Sequence, residues 1–437
     1  MLVRSRNILT RCRSALEGHS TRESPCQQLH ATCPESSAAT VAAVPRRESK
    51  DPRKVLIITG PTAVGKTRVA LEVARRLGGE IISADSVQVY KGLDVGSDKL
   101  PEEERCGISH HLLDVLNPKE EFSAADFFCR AREAAAQVLE RGKVPIVAGG
   151  TGFYLRWFVH NRPQTPAPNP ESAAIVESIL NRAWQAAAEG KGAELTEEER
   201  WEAAAQAVAT AGDPQAADKL RTEPNNHYRL RRMLEILVTS GRTLADMDLD
   251  RSAPLDYDFR CFFLNSPRIG LLRRIDARCE TMVPRGLLEE AQMMLDMGIE
   301  PESNCASKSI GYSQAMLFLR QCHQDPALAS AKGLLQMVAD MQTASRQLSK
   351  RQLSWFRGDP MYQWVDAGRP LDDIVDEIIA SVQLDQHRGA QPGSQQQLTQ
   401  AEQSQLKRYQ PVLHTLQGSV LDEAVSRLQL LVQPSAT

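Results

Sequence analysis

No stretch of this chain approaches the roughly 18 uninterrupted apolar residues of a membrane helix, so a soluble body is expected. The nine cysteines contain no C-x-x-C pair, their number is odd, and no secretory signal precedes them. They read as reduced thiols of an intracellular compartment. A surplus of positive charge is also missing. With 52 basic and 55 acidic residues the formal net charge is −3, so any nucleic-acid site must come from local clustering. No internal repeat is visible. What remains is a chain of 437 residues, 42% apolar and 24% charged, with length for two or three domains and a globular core.

The N-terminus lacks acid. Arg4, Arg6, Arg11 and Arg13 precede the first one, Glu17, and the stretch to about Val44 is rich in Ser, Thr, Ala and Cys. Residues 1–50 therefore read as a disordered leader with the composition of a mitochondrial or plastid transit peptide. A basic tail on a cytosolic protein is the alternative.

Past Arg53 the texture changes. "KVLIIT" is a β-branched strand, "TRVALEVARRLG" has helical spacing closed by Gly-Gly, and "EIISAD" is a second strand. Strand, loop, helix and strand within about 30 residues make a βαβ unit of a parallel sheet. A helix follows at "SAADFFCRAREAAAQVLERG", capped by Ser123 with Asp126 and closed at Gly142, and then "VPIVAGGTGFYL" gives a strand, a turn and a helix start. After the proline-rich "NRPQTPAPNP" the pattern is helical to about Leu255, and "RCFFLNSP" restores a strand before further long helices. The expected architecture is an α/β, P-loop NTPase-like core, its parallel sheet flanked by helices, with an inserted all-helical subdomain. The divisions are 53–162 for the first part of the core, 163–255 for the insertion and 256–385 for the completion of the core with a basic helix. Residues 386–437 read as a Gln-rich linker with one short amphipathic helix within "VLHTLQGSVLDEAVSRLQLLV".

The chemistry begins at Gly60, Pro61, Thr62, Ala63, Val64, Gly65, Lys66 and Thr67, which fit G-x-x-x-x-G-K-[ST] between a strand and a helix. Glycines let successive backbone N–H groups converge, the helix N-terminus adds partial positive charge, Lys66 adds a full one, and the Thr67 hydroxyl suits Mg²⁺. The pattern says phosphate; it does not say whose. Asp85 stands just past the second strand, at the edge where parallel sheets bind ligands. Taken alone, a solvated turn residue or a helix cap is as good a reading as a carboxylate beside a ligand.

The blocks "GPTAVGKT", "ADSVQVYKGLDVGSDK", "HHLLDV" with "FSAADF", and "VAGGTGFYL" together resemble the tRNA dimethylallyltransferase (isopentenyltransferase) family. "RLRRMLEILVTSGRTL", "GLLEEAQ", "SIGYSQAM" and "SRQLSKRQLSWFRG" continue the resemblance in the family's order, over roughly residues 54–358. It implies transfer of a dimethylallyl group from dimethylallyl diphosphate to N6 of the adenosine immediately 3′ of the anticodon, in tRNAs reading codons that begin with U. By the same match Asp85 is the base that takes the amine proton. Thr151 matches the threonine near that amine, with a helix cap as its ordinary role. Arg232 matches the arginine that approaches the diphosphate, although an exposed helix arginine is the bland reading. The loop, Lys66, and Thr67 with Mg²⁺ would hold the leaving diphosphate.

For the tRNA anticodon stem-loop as partner, two local basic clusters speak: Arg229 and Arg231 beside Arg232, and Arg346, Lys350 and Arg351 in a segment without acids. On a helical wheel Arg346, Lys350 and Arg357 fall within about 40° of one another, with Leu348 and Trp355 opposite as an expected apolar stripe. A solvated helix face is the alternative. The resemblance adds Asp85, Ser86, Val87 and Gln88 around the extruded base, and Lys308, Gly311 and Tyr312 in a block where Ser313 stands in place of the usual arginine. No cysteine follows Cys322, so the family's C-terminal zinc finger is expected to be absent, as in its bacterial form. His110 and His111 are adjacent on an extended segment and point apart, so packing or substrate-shell roles are expected rather than a shared ion. A monomer without a membrane partner is expected. The rival readings are a P-loop small-molecule kinase, an isopentenyltransferase acting on free AMP, ADP or ATP, and an RNA-binding protein without turnover.

Overall fold

A computed structural model describes residues 53–161, 165–166, 169–191, 194–222, 226–247, 255–384 and 399–433. The expected leader and most of the Gln-rich linker lie outside the described residues. Among these residues six strands build one parallel sheet: β1 (Lys54–Thr59), β2 (Glu80–Ser83), β3 (His110–His111), β4 (Pro145–Ala148), β5 (Asp258–Asn265) and β6 (Tyr362–Asp366), ordered β3-β2-β4-β1-β5-β6. β1 runs down the middle, with Ile57 level with Val147 on one side and Cys261 on the other. A strand covered on both faces carries no polar alternation. Leu56, Ile57 and Ile58 are accordingly all fully buried, and cutting any one to alanine should cost about 2–5 kcal/mol.

Helix α1 (Lys66–Leu77) leads from β1 to β2 and turns off at Gly78, whose φ of 62° suits a residue without a side chain. Helix α2 (Ala124–Glu140) opens with a reciprocal capping box between Ser123 and Asp126. Helix α3 (Gly152–His160) follows β4. Glu80 is buried at the start of β2 and accepts hydrogen bonds from Arg141 and Lys143, at 2.7 and 2.9 Å, with His111 Nε2 at 2.7 Å. His110 instead sets Nδ1 against the Ile108 carbonyl at 2.8 Å. The neighbouring imidazoles thus serve different partners.

The described residues between Thr165 and Met247 form a compact unit of their own. Its helices are α4 (Pro170–Ala188), α5 (Glu197–Ala211), α6 (Pro214–Thr222) and α7 (His227–Ser240), around a separate core that includes Val176, Leu180, Trp201, Leu230 and Leu234.

The chain returns through β5 into α8 (Arg268–Arg285), α9 (Leu287–Asp296), α10 (Tyr312–Gln324), α11 (Ala331–Phe356) and, after β6, α12 (Leu371–Gln383). The C-terminal segment departs from the sequence expectation. Part of the presumed linker is a helix, α13 (Gln400–Lys407), and the last helix, α14 (Gly418–Leu431), starts later than the apolar pattern suggested. The segment also belongs to the main core, where Leu416 and Leu428 are fully buried. Tyr409 Oη donates to Asp276 of α8 at 2.6 Å, and Glu280 Oε2 accepts the backbone N–H groups of His414, Thr415 and Leu416 at 2.8, 2.8 and 3.2 Å. Its tyrosine and three backbone amides answer two buried carboxylates on α8, a complementarity that Gln-rich composition conceals.

Candidate active site

The sheet order places three turns side by side at its carboxyl edge: the Ala84–Asp85 turn after β2, the Gly149–Thr151 turn after β4, and the glycine loop after β1. They are held tightly. Ala84 N–H donates to the Ala148 carbonyl at 2.8 Å, and a Cβ on Gly149 would stand 2.2 Å from the Ala84 carbonyl oxygen. A Cβ on Gly60 would likewise meet the Leu264 carbonyl at 2.5 Å. In the loop Ala63 and Gly65 take positive φ, 61° and 101°, and Lys66 Nζ donates to the Pro61 carbonyl at 2.9 Å.

Two further helices brace the loop. From α8, Arg274 Nε donates to the Ala63 carbonyl at 3.0 Å, while Arg278 bonds the Thr62 hydroxyl and reaches Asp98 at 3.4 Å. From α11, Gln352 accepts the Thr62 N–H at 2.8 Å and donates to the Gly150 carbonyl at 2.9 Å. Burial and the cationic Arg278 draw Lys66 down to about 8, against the opposing pull of Asp85 and Asp98. The ammonium therefore senses both carboxylates, and a Cβ on Gly150 would lie 3.6 Å from Lys66 Nζ.

Asp85 fixes its own turn by accepting the Val87 and Gln88 N–H groups through Oδ1, at 2.9 and 3.3 Å. Ser86 and Val87 are half-buried beside it. The Gln88 side chain is engaged inside the segment, with Ser83 Oγ at 3.1 Å and the Ser97 carbonyl at 3.1 Å. Thr151 is the N-cap residue of α3, yet its hydroxyl makes no cap hydrogen bond. Its side chain thus leaves the helix-cap role unfilled. Thr67 is exposed at the start of α1.

Several expected RNA contacts are placed otherwise. Tyr312 is fully buried, and its hydroxyl bonds Glu290 and accepts the Gly96 N–H at 3.1 Å. Glu290 also receives the Asp94, Val95 and Gly96 N–H groups. Tyr312 is thus a core brace for the segment after Asp85, not a surface contact; an apolar ring inside a polar block gives no sequence warning of that. Gly311 precedes it with φ 103°. Ser313 is buried and donates to Glu302 at 3.0 Å, whereas Lys308 is exposed. Arg346 is ion-paired with buried Asp276, which removes it from the free basic stripe, while Lys350 and Arg351 are exposed. The apolar stripe of α11 is also displaced: Leu353 and Phe356 are buried, and Trp355 is 46% exposed. In the helical unit, Arg231 pairs with Glu177, and Arg232 binds Glu235 at 3.0 Å together with Thr165 and the Pro166 carbonyl. Arg229 lies half-buried on the same helix. The cations that stand on the loop itself are Arg274 and Arg278, which sequence reasoning missed; the arginine spacing in "RRIDAR" was the available signal.

A parallel α/β sheet with a glycine loop, a half-buried lysine and a carboxylate at neighbouring strand ends defines a P-loop fold, the kind of loop that suits a phosphate group. Comparison with known proteins is more specific. The family described as IPP transferase matches residues 88–359. A protein of Arabidopsis thaliana, tRNA dimethylallyltransferase 9, is 42% identical over 374 residues, covering 78% of each chain. The tRNA dimethylallyltransferase of Protochlamydia amoebophila is 34% identical over 77% of this chain and 90% of its own. The crystal structure of the full-length tRNA isopentenylpyrophosphate transferase of Bacillus halodurans superposes with a TM-score of 0.51 at 30% identity, covering 82% of this chain and all of that one. The chain belongs to the IPP transferase family.

Proposed function

We propose that this protein transfers the dimethylallyl group of dimethylallyl diphosphate to N6 of the adenosine 3′-adjacent to the anticodon of a tRNA. The observation that supports this reading is the side-by-side setting, at the ends of β2, β4 and β1, of the turns that carry Asp85 and Thr151 and of the glycine loop. Adenine's amine is a poor nucleophile because its lone pair is delocalised into the ring. As N6 attacks the allylic C1, the C1–O bond breaks, diphosphate departs with the bonding pair, and Asp85 takes the proton released from N6. The Thr151 hydroxyl, unused as a cap, is available to orient that amine. On the opposite side the loop N–H groups, Lys66 and Arg278 face the charge that grows on the leaving group. The loop thus grips a departing anion.

The exposed Thr67 hydroxyl would be the protein's ligand to a Mg²⁺ ion accompanying the diphosphate. When bound it supplies further neutralisation of the leaving group. By the family match Arg232 is proposed as a diphosphate arginine and Arg229 and Arg231 as tRNA contacts, and Lys308, Lys350 and Arg351 are proposed to meet the phosphate backbone. The Arg-rich leader is proposed to direct import into an organelle, which fusion of residues 1–50 to a fluorescent protein tests. Among the described residues no helix is long and apolar enough to cross a membrane.

The deciding assay offers purified protein dimethylallyl diphosphate or ATP with unmodified tRNA or free adenine nucleotides. Prenylated adenosine in tRNA is expected. ADP release coupled to phosphorylation of a small molecule, or prenylation of free nucleotide alone, overturns the reading. Asp85→Asn should abolish turnover and leave tRNA affinity nearly intact; equal loss of both would make Asp85 a structural turn residue.

A further inference from the structure

An aromatic and cationic patch lies one residue away from Thr151. Trp355 and Phe153 are 46% and 45% exposed, unusual for rings of this size. Phe153 and Trp157, one turn apart on α3, have ring centroids 4.7 Å from each other. The Arg156 guanidinium stands 5.9 Å from the centre of the Trp355 ring. The Trp355 indole lies against the backbone of Gly152, where any Cβ would come within 2.5 Å of its Cδ1. Gly152 is therefore the position that lets a tryptophan from α11 reach the rim of the Thr151 turn.

Charge completes the description. Over residues 152–160 and 341–358, the stretches of α3 and α11 that present these rings, there is no aspartate or glutamate. Arg351 sits one helical turn before Trp355, and both it and Lys350 are exposed. Open aromatic faces among unopposed cations are the surface that single-stranded nucleic acid recognises, with rings stacking on bases and cations tracking the phosphates. A protein partner would be met by a more mixed set of charges at the rim.

We infer that Trp355, with Phe153 and Trp157, is a stacking platform for the unpaired loop nucleotides that flank the reacting adenosine. This rests on the proposed acceptor and adds a subsite to it. Taking one base out of a loop removes its neighbours' stacking partner, and a platform beside Thr151 gives that stacking back. Specificity for a loop over a free nucleotide follows, because a mononucleotide has no flanking base to place there.

The test measures binding of a labelled, unmodified anticodon stem-loop by fluorescence anisotropy, and prenylation of the same RNA. Trp355→Ala and Phe153→Ala should each raise Kd for the stem-loop by roughly five- to a hundredfold. Trp355→Phe should stay within a few-fold of the parent, affinity for a blunt duplex of the same stem should not change, and KM for dimethylallyl diphosphate should hold in all three variants. Stem-loop Kd within twofold of the parent for both alanine variants overturns the platform. So does equal weakening toward the duplex, or a self-association of the parent protein that the alanine variants abolish. A parent protein that binds the stem-loop tightly without prenylating it overturns the proposed reaction instead and leaves the platform standing.

Discussion

Thr62 and Gln352, 290 residues apart in the chain, meet through one hydrogen bond of 2.8 Å from the Thr62 N–H to the glutamine carbonyl oxygen. The other end of the same carboxamide donates to the Gly150 carbonyl. A single planar group thus sets the spacing between the proposed donor loop and the turn that carries Thr151. Gln352→Leu removes both bonds at little change in volume, leaves a part-buried donor and acceptor unpaired, and should cost about 1–3 kcal/mol of stability. Turnover is expected to fall at least tenfold while stem-loop affinity holds. Unchanged kcat would reduce Gln352 to a packing residue.

Lys66 gives the reaction a pH signature. Its free-state value is about 8, well below the 10.5 of an ordinary lysine. An anion bound beside it favours the ammonium, so the bound value lies above the free one. Affinity for diphosphate should then be fully present below pH 8 and decline as pH rises through it, with protons taken up on binding near that point. Calorimetry in buffers of different ionisation heat measures the uptake. Lys66→Met should abolish it, and identical uptake in that variant would assign the proton elsewhere.

Tyr312→Phe separates a brace from a contact. The hydroxyl is buried, bonded to Glu290, and pushed well above the ordinary range by burial and that carboxylate. Its loss should cost about 1.5–3 kcal/mol, the range for a hydrogen bond to a charged group, and leave KM for tRNA unchanged. A rise in that KM at unchanged stability would return Tyr312 to the RNA interface.

Glu80 governs acid tolerance. Although burial opposes ionisation, Lys143, Arg141 and His111 hold its carboxyl down to about 2, from an ordinary 4.5. For a depressed carboxyl the stabilisation is present above the unfolded value and is lost as pH falls from 4.5 toward 2. Glu80→Gln should therefore lower stability by about 2 kcal/mol at pH 7, discounted because Arg141 and Lys143 are half exposed, and flatten the acid limb of the unfolding curve. Parallel pH curves for the two proteins would remove the carboxylate from that role.

The glycine loop, its flanking strand and helix, the Ser123 cap and the helical insertion were legible because each is written in local pattern. Motif resemblance singles out Asp85 and Thr151, whose turns the strand order sets beside the glycine loop. What stayed hidden is non-local: Gln352 and Arg278 reach the loop from helices more than 200 residues later, and no periodicity announces such a meeting. Trp355 was misread for a related reason. A helical wheel assumes one buried face, and α11 buries Leu353 and Phe356 while turning the neighbouring tryptophan outward.

The two ion-bearing sides of α8 have separate clients. Arg274 and Arg278 look toward the glycine turn, whereas Asp276 and Glu280, two positions on from each and so nearly opposite, are answered by Tyr409 and by the amides of residues 414–416. During synthesis Glu280 is without those three amides until residues 414–416 have left the ribosome. The helix proposed to brace the anion loop thus leans on a segment more than 130 residues downstream, and a cut ahead of Tyr409 is expected to loosen it from behind without touching the proposed reaction centre.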